Sequence, residues 1–327
     1  MPAVALESRP ADGRLWAVRI EPGAGVPSPV EDPLAQGPGW VWAHFDLVNP
    51  NASRGLRALG LSPDVLALFI EADETPRILS EEGWLAGVLP DFERNPDADE
   101  VKTGAVRFFL AQDRLISARR MPLRGVHTAW RGLSGGAPPR SPDACFQRIR
   151  RGFLDECARL AAVLQADLDR VEDDLLESEG ASRRQSRARA LLGRVRQRIA
   201  RLQRLTKPLA RITPAEALPA WVDGDEMAAT QRRTLSVIDD LHAVEDRSHA
   251  LQDELAARQN EETNRRLYLL SVLTAILAPT TLITGFFGMN TGGLPWTQLP
   301  HGTALAVGLL ATTIGLMLLL LRRSGML

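Results

Sequence analysis

Leu267–Phe287 runs for 21 positions without a charged residue. At 1.5 Å rise per residue such a helix covers about 31 Å, the thickness of a bilayer's hydrocarbon core. Thr303–Leu321 is a second uncharged stretch of 19 residues, about 28 Å as a helix. Core helices of soluble proteins rarely run this long without a charge, so both read as transmembrane helices. The opening residues, MPAVALESRP, lack the basic-then-apolar pattern of a signal peptide. Arg265 and Arg266 precede the first span, Arg322 and Arg323 follow the second, and the loop Gly288–Gly302 carries no charge. Positive flanks stay on the cytoplasmic side, so the expectation is a multi-pass protein of the inner (plasma) membrane with both termini inside. Pro279 lies within the first span. Nearby Thr side chains or a neighbouring helix are expected to satisfy the carbonyl it frees, giving a kink and no break.

The residues before the spans read as a soluble α/β domain followed by helices. Candidate strands are Leu15–Ile20, Trp40–Leu47, Trp84–Leu89, Val106–Leu110 and Leu115–Ala118, the last two forming a hairpin. Ser62-Pro63-Asp64 and Ser141-Pro142-Asp143 each place a capping hydroxyl before a proline at the first helical position. The residues from 167 to 179 hold seven acids and one base, whereas 181–211 hold eleven bases and no acid. An antiparallel helix pair turning near Glu179–Ser182 sets the acidic end of one helix beside the basic start of the next. Lys plus Arg total 39 and Asp plus Glu 40, which speaks against a nucleic-acid binder. Two cysteines, Cys145 and Cys157, make no disulfide framework or zinc finger and read as small core residues. Pro208, Pro214 and Pro219 mark a linker, and a helix beginning near Asp223–Glu226 meets, from about 225 onward, no Pro until 279 and no Gly until 285. Some sixty helical residues are about 90 Å long and need partners, which self-association supplies.

The segments are therefore an α/β domain at 1–142, a helix pair at 143–211, a linker at 212–224, a stalk helix at 225–266 and spans at 267–287 and 303–321. An outer loop at 288–302 joins the spans, and a tail at 322–327 follows.

Steps of four and three along the long helix pick out one seam. It reads Asp239, Ala243, Asp246, Ala250, Asp253, Ala257, Asn260, Asn264, Leu267, Ser271, Thr274, Ala278, Thr281, Gly285 and Gly288. Small and hydroxylic residues suit a helix-packing seam or an aqueous pore, while Leu, Ile, Val and Phe take the other faces. Packing does not explain an Asp every seven residues at 239, 246 and 253. Like charges converging on an axis repel unless cations fill the space; a solvated outer face is the alternative.

Gly288-Met289-Asn290 follows the first span. A long helix, two C-terminal spans and Gly-Met-Asn after the first resemble the CorA-type divalent metal ion transporters, and the resemblance covers most of the chain. Glu74-Thr75-Pro76-Arg77 stands where such proteins have a similar Arg-Pro-containing segment. The loop Gly288–Trp296 has no acidic residue and looks like the zinc-transporting ZntB branch; magnesium-transporting members commonly carry an acid there. The resemblance implies a homopentameric funnel whose first spans line the pore and whose second spans lie outside it. It also implies Zn²⁺ as the transported ion, with proton coupling an open alternative, no cofactor and no enzymatic activity.

In five copies Asn290 would ring the outer mouth with amide oxygens, joined by backbone carbonyls near Gly288, while Met289 packs. Zn²⁺ prefers His and Cys ligands, which the membrane seam lacks, so hydrated passage is the simpler mechanism. Thr281, Thr274 and Ser271 would face that water and Leu267 would be a hydrophobic constriction. Asn264 and Asn260 continue the path, and Asp239, Asp246 and Asp253 hold cations in the stalk. Proton coupling needs an ionisable group at membrane depth, and Tyr268 is the only one. His242 and His249 read as solvated stalk residues. His301 in the outer loop could meet an arriving metal. His44 and Asp46 flank Phe45 on one strand face and read as no site. A magnesium, cobalt or nickel channel of the same family and a non-conducting, membrane-tethered coiled-coil sensor or scaffold remain alternatives. The chain contains neither a Gly-rich phosphate loop ending in Lys-Ser/Thr nor His-Glu-x-x-His.

Overall fold

Strand β1 (Arg14–Ile20), β3 (Trp40–Asp46), β5 (Trp84–Phe92), β6 (Thr103–Ala111) and β7 (Arg114–Arg119) arise from the five apolar runs expected as strands. The computed structural model describes residues 11–21, 26–94, 102–133, 138–176, 182–211, 218–289, 295 and 300–323. Two short edge strands not foreseen, β2 (Ser28–Pro29) and β4 (Arg77–Glu81), complete a seven-stranded sheet of order β2-β1-β3-β7-β6-β5-β4. Every neighbouring pair is antiparallel except β3 and β7, which run parallel at the centre. A parallel pair must be covered on both faces, and β3 is buried from Trp40 to Phe45.

One face packs on α1 (Ala52–Ala58) and α2 (Pro63–Ile70), joining Phe45, Ala43, Val88 and Ile116 to Leu56, Val65, Leu68 and Phe69. Each fully buried Leu or Phe contributes roughly 1.5–3 kcal/mol. The other face packs on α4 (Pro142–Leu176), where Phe108 meets Phe146 at 4.3 Å and Phe92 stacks on Phe153 at 5.1 Å. Cys145 and Cys157 are free thiols buried on α4. Helix α3 (Arg124–Leu133), also not foreseen, lies against α4 through two glycines. A Cβ added at Gly152 would stand 3.2 Å from the Gly125 Cα.

Several boundaries differ from expectation. Strand β5 continues through Pro90 to Phe92. Its pairing with β4 ends at Val88, so the missing Pro90 N–H faces no strand on that side. The hydroxyls of Ser62 and Ser141 do cap α2 and α4, accepting from Val65 N at 3.5 Å and Ala144 N at 3.1 Å. Helix α5 (Ser182–Arg211) runs through Pro208, which was expected to mark the linker. Three residues remain after it, Leu209 is buried, and Gln231 donates to the Ala210 carbonyl at 2.9 Å, so packing and a side-chain cap hold the last turn. Helices α4 and α5 form the antiparallel pair, Leu160–Leu164 lying across a groove from Gln197–Leu205; residues 177–181, where the turn was placed, lie outside the described residues.

The chain divides into two compact units, Met1–Ala250 and Leu251–Leu327. Helix α6 (Gly224–Phe287) is a single element of 64 residues, and α7 (Gly302–Arg323) is the second apolar helix. In the first unit, Asp223 caps α6 by accepting from Asp225 N at 3.0 Å and Glu226 N at 3.1 Å. Thr234, Val237, Leu241, Val244 and Ser248 make its buried face. The second unit carries the apolar lengths of α6 and α7, whose Leu side chains are largely exposed in the single chain. Helices of this length and hydropathy are covered by lipid or by further helices.

Candidate ion path

In the first unit the seam of α6 is its exposed face. Asp239, Ala243, Asp246 and Ala250 are all exposed, opposite the buried Val237–Val244–Ser248 side. The glutamates off the seam are engaged: Glu226 with Arg151 and Glu245 with Gln203 at 2.6 Å. Within the second unit Glu254 pairs with Arg258 and Glu262 with Arg266. Asp239, Asp246 and Asp253 make no ion pair among the described residues, a condition shared by Asp240 and Glu261 off the seam. Carboxylates repeated along one exposed helix face without cationic partners give that face a negative potential.

Three acids of α4 have partners that the sequence did not foresee. Asp169 and Glu172 pair with Arg247 of α6 at 2.6 and 2.5 Å, and Asp167 pairs with Arg170 on its own helix, while Glu177 and Glu179 lie outside the described residues. One guanidinium with five donors reaches two carboxylates a turn apart, which a position on the facing helix allows.

In the second unit Asp253, Ala257, Asn260, Asn264, Leu267, Ser271, Thr274, Ala278, Thr281 and Gly285 are exposed. The seam hydroxyls bond their own helix: Ser271 donates to Leu267 O, Thr274 to Leu270 O and Thr281 to Leu277 O, each at 2.8 Å. Each hydroxyl hydrogen is then spent on the backbone, leaving oxygen lone pairs as the outward group. Such a surface offers acceptors to the water around a cation. Thr274, Ala278, Thr281, Gly285, Phe286 and Met289 line one groove of about 760 Å³ with two leucines. The helix passes Pro279 without a break. Thr280 and Thr281 donate to Ile276 and Leu277, not to the Ala275 carbonyl that Pro279 frees.

The helix closes at Gly288, whose N–H donates to Thr284 O at 2.9 Å, and Met289 is 52% exposed. Asn290 lies outside the described residues, as do 291–294 and 296–299. His301 is exposed immediately before α7, and Tyr268 is 38% exposed. Among the described residues no group of three His, Cys, Asp or Glu side chains could hold a metal ion.

Segment Glu74–Arg77 belongs to a structural turn. Arg107, fully buried on β6 and missed in the sequence, donates to the Glu71 and Asp73 carbonyls at 3.2 and 3.4 Å. Asp73 accepts from Thr75 N and Oγ1 at 2.9 and 2.7 Å and pairs with Arg77. These bonds hold its carboxyl down at about 2.

An α/β domain, a helix that carries an acidic face and then a hydroxylic one, and two membrane-length helices at the end define a membrane protein with a large soluble domain. The profile of the CorA family, described as CorA-like Mg2+ transporter protein, matches residues 37–323, and the chain belongs to that family of metal ion transporters. It is 30% identical over 274 residues, 81% of each chain, to the divalent cation transporter CmaX of Pseudomonas aeruginosa. It is 27% identical over 298 residues, 89% of each chain, to the zinc transport protein ZntB of Pectobacterium carotovorum. The solved structure of full-length CmaX superposes with a TM-score of 0.80 at 26% identity, covering 97% of this chain and 99% of that one. The α/β domain, long helix and two apolar helices expected from the sequence are therefore those of the family.

Proposed function

We propose that this chain carries Zn²⁺ across the inner membrane, through the axis of a homopentamer lined by the seam of α6, with both termini in the cytoplasm. The observation that carries this reading is the exposed seam: unpaired Asp239, Asp246 and Asp253, then Asn260 and Asn264, then acceptor-presenting Ser271, Thr274 and Thr281. Oxygens of this kind suit an ion that keeps its water shell. Leu267 forms the constriction, and Gly288, Met289 and Asn290 form the entrance. Zinc is favoured by the ZntB relatives and by an outer loop without an acid. A Mg²⁺, Co²⁺ or Ni²⁺ channel is the second reading, favoured by the family's description and by neutral oxygens that do not choose among hydrated divalent ions.

Zn²⁺ influx into proteoliposomes tests this, comparing wild type with Asn290→Ala, with and without a pH gradient and with Mg²⁺ as competitor. The expected result is uptake reduced at least tenfold in the variant, with Mg²⁺ competing weakly. Strong Mg²⁺ competition would transfer the pore to the second reading. No uptake of any divalent ion by the intact oligomer would leave a membrane-tethered, non-conducting scaffold.

A further inference from the structure

Before Asp239 the seam of α6 continues toward the start of the helix through Ser236, Arg232, Ala229 and Asp225, at the same alternating steps of three and four. All four are exposed, so the face that carries the acids runs unbroken to the first turn. Every seventh residue along it reads Asp225, Arg232, Asp239, Asp246 and Asp253, and Arg232 is the single cation on the seam between Asp225 and Gly288.

Other arginines of α6 are held by carboxylates: Arg233 by Asp155 at 3.3 Å, Arg247 by Asp169 and Glu172, Arg258 by Glu254 and Arg266 by Glu262. Arg232 makes no ion pair among the described residues. Its neighbours three and four positions away are Ala228, Ala229, Leu235 and Ser236, so no carboxylate of its own helix is within reach. Leu235, 47% exposed, adds no charge beside it. A guanidinium cannot be deprotonated in a protein, so this charge is permanent. Seven residues of helix set it about 10.5 Å from Asp239, close to the Debye length of about 10 Å at 0.1 M ionic strength. In dilute salt its field therefore reaches a cation held at Asp239, and the repulsion is twice as large for a divalent ion as for a monovalent one.

We propose that Arg232 is a positive collar closing the cytoplasmic end of the acidic ladder, and that it limits how fast a hydrated divalent cation leaves the seam. This inference rests on the reading that copies of the chain turn this face toward a common axis. Each copy then adds its own Arg232 to the collar, as each adds its own Asp239, Asp246 and Asp253 to the ladder. Attraction along three heptads followed by repulsion in the next makes the end of the ladder a place where cations collect before release.

Zn²⁺ uptake into proteoliposomes holding the full-length protein would be compared for wild type, Arg232→Gln, Arg232→Lys and Arg233→Gln. Measurements at about 0.01 M and about 1 M ionic strength let charges act over about 30 Å and about 3 Å. Arg232→Gln is expected to raise low-salt uptake about two- to fivefold, with the gain lost in high salt. Arg232→Lys, which keeps the charge, and Arg233→Gln, which lies off the seam, should match wild type. An Arg232→Gln rate equal to wild type at low salt overturns the proposal. So does a gain that persists in high salt or that Arg232→Lys reproduces, because a lost packing contact would do the same. Glu216 lies outside the described residues. A fall in uptake on Glu216→Gln alone would show that the chain's own carboxylate cancels the collar, and the proposal fails. Wild type that takes up no divalent ion removes the pore reading and the collar with it. Uptake that falls when Asp239, Asp246 and Asp253 are changed to Asn, yet ignores Arg232→Gln, overturns the collar alone.

Discussion

Asp91 shows how much a single residue can carry without any mark in the sequence. It sits on β5, and its carboxylate accepts from Phe92 N at 2.8 Å, Gly125 N at 2.9 Å and Val126 N at 3.3 Å, closing the start of α3. Burial pushes its pKa up to about 7 against the pull of those three donors. A carboxyl whose folded pKa lies above its unfolded value of about 3.9 favours the fold most below that value and loses the contribution as pH rises to the folded pKa. The wild type is therefore expected to lose melting temperature between pH 4 and pH 7, and Asp91→Asn to flatten that fall. Equal slopes in the two proteins would contradict this. Arg107 and His44 are equally hidden in the sequence. Arg107 reads as one more surface cation on a strand, and only the chain reversal at Glu71–Asp73 brings carbonyls to it. His44 reads as a strand-face residue, and only pairing of β3 with β7 brings Ser117 beside it.

At the level of elements, local signals worked where the chemistry is local. Capping hydroxyls before prolines located the starts of α2 and α4, and the β6–β7 hairpin needed only its two-residue turn. Pairings between distant elements were not legible, because like sequences of acids and bases permit several partners. Asp169 and Glu172 of α4 found Arg247 on α6, a partner that no local pattern singled out. Arg247→Gln is expected to cost about 1 kcal/mol, since half-exposed ion pairs contribute about 0.2–1 kcal/mol each. The loss should shrink in high salt. A thermal melt at low and high ionic strength checks both, and an unchanged low-salt melting temperature would show that the bridge adds no stability. Helices α1 and α3 were missed for a related reason. Each is short, and packing on the sheet rather than propensity sustains such helices.

For the whole molecule, the seam makes a prediction that no single pair could. Changing Asp239, Asp246 and Asp253 together to Asn should leave the buried side of α6 intact while lowering divalent uptake roughly three- to tenfold at low ionic strength. The defect should fade as salt screens the field within a Debye length. A salt-independent defect, or none, would place the acids on a merely solvated face. The sequence by itself determined that two segments belong in a membrane, that a long helix leads into the first, and that one helix face collects acids, then hydroxyls. Uncharged length and period-of-seven spacing are properties of a chain before it folds. Tertiary structure alone decided the parallel β3–β7 centre, the Arg247 bridge and the glycine contact of α3 with α4. Each of these joins residues far apart in the chain, and their meeting depends on burial and geometry that no local pattern encodes.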